Sequence, residues 1–171
     1  MKRGRFNGRA TAFAVAVSVL GLAAFHPVAG AAAEPTLVAL LEFGFLDTSH
    51  EPEDQTAEHE ARLQLVYQEL QQGLKESNDF VFVPLDPDCA PEDSDCIIEA
   101  ASDAGADLVL AGAIHKGSSM LIEMWAGGFE TGAGERVFFR QLSLRGDNDE
   151  AWLRGARTIV QELQTELSNS E

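Results

Sequence analysis

Cys89 and Cys96 are the only cysteines of the chain, and they bracket an acidic loop, Asp86-Pro87-Asp88-Cys89-Ala90-Pro91-Glu92-Asp93-Ser94-Asp95-Cys96. The six residues between them do not match the two-residue spacing of thioredoxin-like redox centres. Zinc would need further thiolate or imidazole ligands, and beyond residue 33 the only histidines are His50, His59 and His115. A structural disulfide is therefore the expected state of the pair, contributing about 2.5 kcal/mol through closure of the loop.

The carboxylates are distributed unevenly. Asp47, Glu51, Glu53, Asp54, Glu58 and Glu60 follow one apolar run, and Asp86, Asp88, Glu92, Asp93 and Asp95 follow another. If the two runs are parallel strands, both loops leave the same carboxyl-end edge of a sheet, where open α/β sheets place ligands. Oxygen ligands from Asp47, Glu51, Asp54, Asp86 and Asp88, with His50 nearby, would suit a hard cation such as calcium or a lanthanide. The second loop opens Asp86-Pro87-Asp88 like an EF-hand, but Pro91 stands at its sixth position, where glycine is needed. Ile97 stands at the twelfth, where glutamate is needed, so it is not an EF-hand.

Other chemistry finds no support. Gly132-Ala133-Gly134 lacks the third glycine of a dinucleotide loop and reads as a hairpin turn. There is no phosphate-binding Gly-x-x-x-x-Gly-Lys-Ser/Thr and no Gly-x-Ser-x-Gly. His59-Glu60-Ala61-Arg62-Leu63 starts like a zinc-protease helix, but Leu63 replaces the second histidine. Ser118 and Ser119 lie near His115 without a third group to orient it. No catalytic residue is assigned, and a non-enzyme is expected. An unrecognised carboxylate pair at the acidic edge is the enzymatic alternative.

The elements that would position these residues can be read from period and punctuation. Thr36 to Leu46 (TLVALLEFGFL) is a nearly continuous apolar run, expected to be one strand buried on both faces. From Thr56 the period becomes helical, with Leu63, Val66, Leu70 and Leu74 on one face and Tyr67 beside them. Phe80 to Leu85 is a second strand, at an edge or ending at Pro84. A short helix capped by Ser94 or Asp95 runs through Ile97, Ile98 and Ala101 to Gly105.

Leu108–Ile114, Met120–Phe129 and Val137–Leu144 are three further strands, joined by the turn-rich segments Lys116–Ser119 and Glu130–Glu135. In the last of them Val137, Phe139, Gln141 and Ser143 oppose Phe138, Arg140, Leu142 and Leu144. Met124, Phe138 and Leu142 would make an interaction surface if no helix covered them. Trp125 and Trp152 are expected in the core. Asp147-Asn148-Asp149 caps a closing helix with the stripe Trp152, Ala156, Ile159, Leu163 and Leu167. The expected class is α/β (α+β): a mixed sheet of about five strands in the order β-α-β-α-β-β-β-α, with helices packed on it.

The chain has 171 residues with 12 basic and 28 acidic side chains, a formal net charge of −16. Lys2, Arg3, Arg5 and Arg9 precede the apolar stretch Thr11–Phe25, and Ala31-Ala32-Ala33 supplies small residues before Glu34. This is the pattern of an export signal, residues 1–33, cleaved after Ala33. It leaves one domain, residues 34–171, with 8 basic against 28 acidic side chains, or −20. The expected location is the periplasm, with no membrane anchor after cleavage. So acidic a surface repels phosphates and anionic lipid, which excludes nucleic acid and favours cations or a basic protein partner.

The stretch from Cys89 through Cys96-Ile97-Ile98-Glu99-Ala100-Ala101 and Gly105-Ala106-Asp107 to Leu108–Ile114, with a hairpin ending Glu130-Thr131-Gly132, resembles the amino-terminal domain of TolB. From Thr36 to the final helix the chain is similar to a family of small exported proteobacterial proteins known only as a domain of unknown function. That resemblance implies a TolB-like fold, a periplasmic address and a link to quinoprotein dehydrogenase systems. The leading functional expectation is a non-enzymatic periplasmic interaction module with no cofactor. The alternative is a calcium- or lanthanide-binding protein that uses the loops 47–60 and 86–95.

Overall fold

The computed structural model describes residues 34–90 and 93–170. The expected export segment, 1–33, therefore lies outside the described residues, which all belong to the unit Ala33–Glu171. The elements are β1 (Thr36–Leu40), β2 (Gly44–Asp47), α1 (Thr56–Glu76), β3 (Phe80–Val83), α2 (Ser94–Asp103), β4 (Leu108–Ser118), β5 (Leu121–Glu130), β6 (Arg136–Leu144) and α3 (Asp149–Ser170). They form a six-stranded sheet ordered β3-β1-β4-β5-β6, with β2 also paired to β4. β1 and β3, β1 and β4, and β2 and β4 are parallel, whereas β4, β5 and β6 form an antiparallel meander.

The run Thr36–Leu46 is not one strand. Leu40 pairs with Leu110 and Gly44 with Ala113, so Leu41, Glu42 and Phe43 stand opposite only Ala111 and Gly112. The extra residue interrupts the ladder as a bulge does, and β2 resumes farther along β4. Phe43 turns into the core at this break. A Cβ on Gly112 would lie 2.5 Å from the Phe43 ring and 2.3 Å from the Trp125 carbonyl oxygen, so only glycine fits there. Burial on both faces holds for Val38, Ala39 and Leu40 but not for Leu46, which is 52% exposed.

The two faces of the sheet are covered unequally. On one face, Val66, Leu70 and Leu74 of α1 and Trp152, Ala156, Ile159 and Leu163 of α3 pack on Val38, Leu40, Leu110, Ile114, Ile122 and Met124. The helical stripes read from the sequence supply this layer. α1 and α3 approach closely at Gly73, where a Cβ would lie 3.1 Å from Val160. On the other face a smaller cluster joins Ala101, Ala39, Val109 and Ala106, with Leu41, Val83, Leu85 and Ile97 around it.

Several local assignments shift. Asp93 rather than Ser94 or Asp95 caps α2, accepting from the Cys96 backbone N–H at 3.1 Å. Asn148 caps α3 through the Ala151 N–H at 3.0 Å. β3 is an edge strand that ends at Val83, one residue before Pro84. Lys116, expected in a turn, lies inside β4 and is 1% exposed.

Met124, Phe138 and Leu142 are not an open surface. Met124 is fully buried, Phe138 is 2% exposed and Leu142 packs against the same core, because α3 lies over them. The outward row of β6 is Val137, Phe139, Gln141 and Ser143. Trp152 is core, whereas Trp125 is only half-buried beside His115.

The Gly105-Ala106-Asp107 and Thr131-Gly132 motifs are structural ties. Gly105 takes φ +81 after α2. The Asp107 carboxylate accepts from the Leu37 backbone N–H at 2.9 Å, fastening the loop to β1. Thr131 donates its hydroxyl to the Ala106 carbonyl at 2.7 Å, fastening the β5–β6 hairpin to that same loop.

Candidate functional site

β1, β2, β3 and β4 run parallel, so the loops after β2 and β3 leave the same edge of the sheet. Two polar regions result, and they differ in kind. The first is built around Lys116. Alternation along β4 turns Lys116 to the same face as Leu110 and Ile114, where burial would normally exclude a charge. Its Nζ lies 2.9 Å from Glu51 Oε2, 3.2 Å from Asp147 Oδ2 and 4.0 Å from Asp47 Oδ2, and it donates to Gln55 Oε1. An ammonium has three protons, and Glu51, Asp147 and Gln55 take all three.

The cluster extends from there. Asp147 also accepts from His59 Nε2 at 2.8 Å and from Arg62 Nη1 at 2.7 Å. Arg62 reaches Asp149 at 2.9 Å, and the second oxygen of Glu51 accepts from the Ser119 backbone N–H at 2.8 Å. The His59 ring lies 3° from parallel with Trp152 and 4.5 Å from Phe45.

Charge pairing governs the titration of this cluster. Burial by itself would lower the Lys116 pKa, but hydrogen bonds to Glu51 and Asp147 outweigh it and hold the pKa above its usual value. Burial alone would raise Asp147, yet His59, Lys116 and Arg62 pull its carboxyl below the ordinary range. Glu51 is lowered chiefly by Lys116, and Asp47 chiefly by its hydrogen bonds with Ser49. Lys116 thus remains an ammonium, unsuited to nucleophilic attack.

The second region is a cleft of about 720 Å³ at the carboxyl ends of β1 and β3. Leu40, Leu41, Leu85, Pro87 and Ile97 are its apolar walls, with Ala111 and Gly112 of β4. Glu42, from the break between β1 and β2, and Asp86, two residues past Pro84, bring exposed carboxylates to it, and Tyr67 of α1 contributes its ring. Burial raises the Tyr67 pKa, and the charges of Glu42 and Asp86 add to the effect. Cys89 forms part of the wall and is bonded to Cys96 in the first turn of α2, with Cα atoms 5.9 Å apart. The disulfide therefore ties one side of the cleft to a helix. Among the described residues no Lys or Arg lines it.

The residues considered as cation ligands are dispersed between these regions and the loops. Asp47 and Glu51 face Lys116. Asp54 accepts from the Thr56 N–H and hydroxyl at 3.1 and 2.7 Å, at the start of α1. His50 is exposed with φ +57, Asp86 lies at the cleft, and Asp88 is exposed. Among the described residues no three His, Cys, Asp or Glu side chains converge into a metal-binding group. His115 faces the opposite side of the sheet from Lys116 and pairs with the Thr48 hydroxyl at 2.7 Å, so it serves neither Ser118 nor Ser119.

Lys116, Arg62, Asp147 and Glu42 were not anticipated. Lys116 had a usable signal, since it falls in phase with Leu110 and Ile114 on the buried side of the strand. Glu42 had another, as the sole charge inside TLVALLEFGFL.

The model of the DUF3280 family, described as a protein of unknown function (DUF2380), matches residues 36–163. The chain belongs to this family. Both polar regions fall within the matched DUF3280 segment. No curated protein matches the chain.

Among solved structures, the DUF3280 domain is similar to TolB from Acinetobacter baumannii, with a TM-score of 0.51 and 12% identity over 80% of this chain. The match spans only 29% of TolB itself. The hypothetical protein CT253 from Chlamydia trachomatis gives a TM-score of 0.52 and 14% identity over 78% of this chain and 99% of that one. The shared property is the fold, a mixed sheet with helices, as the Gly105-Ala106-Asp107 and Thr131-Gly132 motifs imply.

Proposed function

We propose that this protein is a non-enzymatic interaction module of the periplasm, docking a protein partner in the cleft between the ends of β1 and β3. The carrying observation is the contrast in charge. The ionisable groups buried around Lys116 satisfy one another, while Glu42 and Asp86 stand at an apolar-walled cleft that no Lys or Arg lines among the described residues. A cleft of this size, at the carboxyl ends of parallel strands, is where ligands bind in open α/β sheets. The Cys89–Cys96 bond and the basic, then apolar, start of the chain support an oxidising, exported setting. The family resemblance supplies the context of quinoprotein dehydrogenase systems.

Photo-crosslinking tests the reading. Benzoylphenylalanine at Pro87, at the edge of the cleft, should give one discrete protein adduct in the cell envelope. The same group at exposed Leu65 of α1 should give none. Absence of an adduct from Pro87, or identical adducts from both positions, would overturn the proposal.

A further inference from the structure

The chemistry of the cleft specifies what part of a partner it accepts. Its floor and walls are hydrocarbon from Leu40, Leu41, Leu85, Pro87 and Ile97, suited to the methylene stem of a long side chain. Tyr67 offers an aromatic face, which attracts a cation. Glu42 and Asp86 offer acceptor oxygens only. Among the described residues neither carboxylate has an ion pair, although Glu51, Asp147, Asp149, Glu162, Glu166 and Glu69 all do. A volume of about 720 Å³ is larger than a bare metal ion needs and accommodates several residues of a peptide.

Resting on the docking role of the cleft, we infer that it receives an arginine side chain of a partner polypeptide, its stem on the apolar wall and its guanidinium between Glu42, Asp86 and the Tyr67 ring. Arginine fits better than lysine for two reasons. Its planar fork can engage a carboxylate with two parallel hydrogen bonds, and it stacks on aromatic rings. Weaker hydration also lowers the cost of leaving water for a partly apolar cleft.

The test uses the full chain and a built-in probe, because Tyr67 is its sole tyrosine and its ring resonances report on the cleft. N-acetyl-arginine amide, titrated to tens of millimolar, should shift the Tyr67 ring signals saturably, and the shift should weaken with added salt. The uncharged isostere, N-acetyl-citrulline amide, should leave them unmoved. The double variant Glu42→Gln, Asp86→Asn should weaken the arginine probe about fivefold or more. The same variant should lose the adduct formed from Pro87.

Equal shifts from the arginine and citrulline probes, or no shift from either, would overturn the arginine assignment. If the Pro87 adduct then persisted undiminished in the double variant, docking in the cleft would stand without it. An arginine shift with no adduct would assign the cleft to a small cationic ligand and overturn the polypeptide. No shift and no adduct would overturn both readings.

Discussion

The Lys116 cluster and the β1–β3 cleft are both acidic and lie along one edge of the sheet, yet they are opposites in chemistry. Around Lys116 each proton of the ammonium has its acceptor, and the cluster ties β4 to α1, to the loop before it and to the segment before α3. At the cleft, Glu42 and Asp86 are solvent-facing carboxylates beside apolar surface. A satisfied buried network stabilises one arrangement of a fold, whereas carboxylates without a partner add to self-repulsion. Acidic residues alone do not mark a binding site; what distinguishes Glu42 and Asp86 is that they stand without a cation beside an apolar-walled cleft. The comparison predicts that stability depends on the first region and binding on the second.

The largest expected effect tests the cluster. Lys116→Met leaves Asp147 and Glu51 without their central cation and should cost about 3 kcal/mol, near the low end for breaking a buried pair because Glu51 still reaches solvent. Urea unfolding would measure it, and a cost near zero would show the cluster to be dispensable. The double variant Cys89→Ser, Cys96→Ser should lose about 2.5 kcal/mol and weaken the arginine probe, since the cleft wall is no longer held to α2. Unchanged probe binding would separate the disulfide from the cleft. Gly112→Ala should cost about 2 kcal/mol, because the new methyl meets the Phe43 ring and the Trp125 carbonyl.

Smaller effects appear in the pH profile of stability. The folded pKa of Asp147 lies below its ordinary 3.8, so its contribution is complete above pH 3.8 and is lost as pH falls through the lower folded value. Lys116 is raised above 10.5, so its contribution is complete below pH 10.5 and is lost as pH rises through the folded value. Asp147→Asn should flatten the acid limb and Lys116→Met the alkaline limb of unfolding free energy against pH. The smallest expected change is in Glu42→Gln, Asp86→Asn, within about 0.5 kcal/mol of the parent, as for other surface substitutions. A marked destabilisation there would erase the distinction between the two regions.

Much of the scaffold was legible because periodicity records burial. The α1 stripe Val66, Leu70 and Leu74 and the α3 stripe Trp152, Ala156, Ile159 and Leu163 all face the sheet. The alternation of β6 separated Phe138 and Leu144 from Phe139 as expected, but which set faces the core was decided by the helix that covers it. The site was less legible. Lys116 followed by Gly117-Ser118-Ser119 reads as a turn, and only carboxylates far away in sequence, Glu51 and Asp147, make its burial tolerable. Asp147, 88 residues from His59, looked like part of a helix cap. Met124 and Phe138 looked available for docking because nothing local in the sequence says which face of a meander a distant helix will cover.

The sequence by itself determined the periodic elements, the acidic balance and the two cysteines that could meet across a short loop, since each depends on neighbours within a turn or a strand. Tertiary structure alone decided which carboxylates are neutralised. Whether an acidic side chain meets a cation depends on contacts across the sheet between residues distant along the chain, and those contacts gave Lys116 its partners and left Glu42 and Asp86 facing an open cleft.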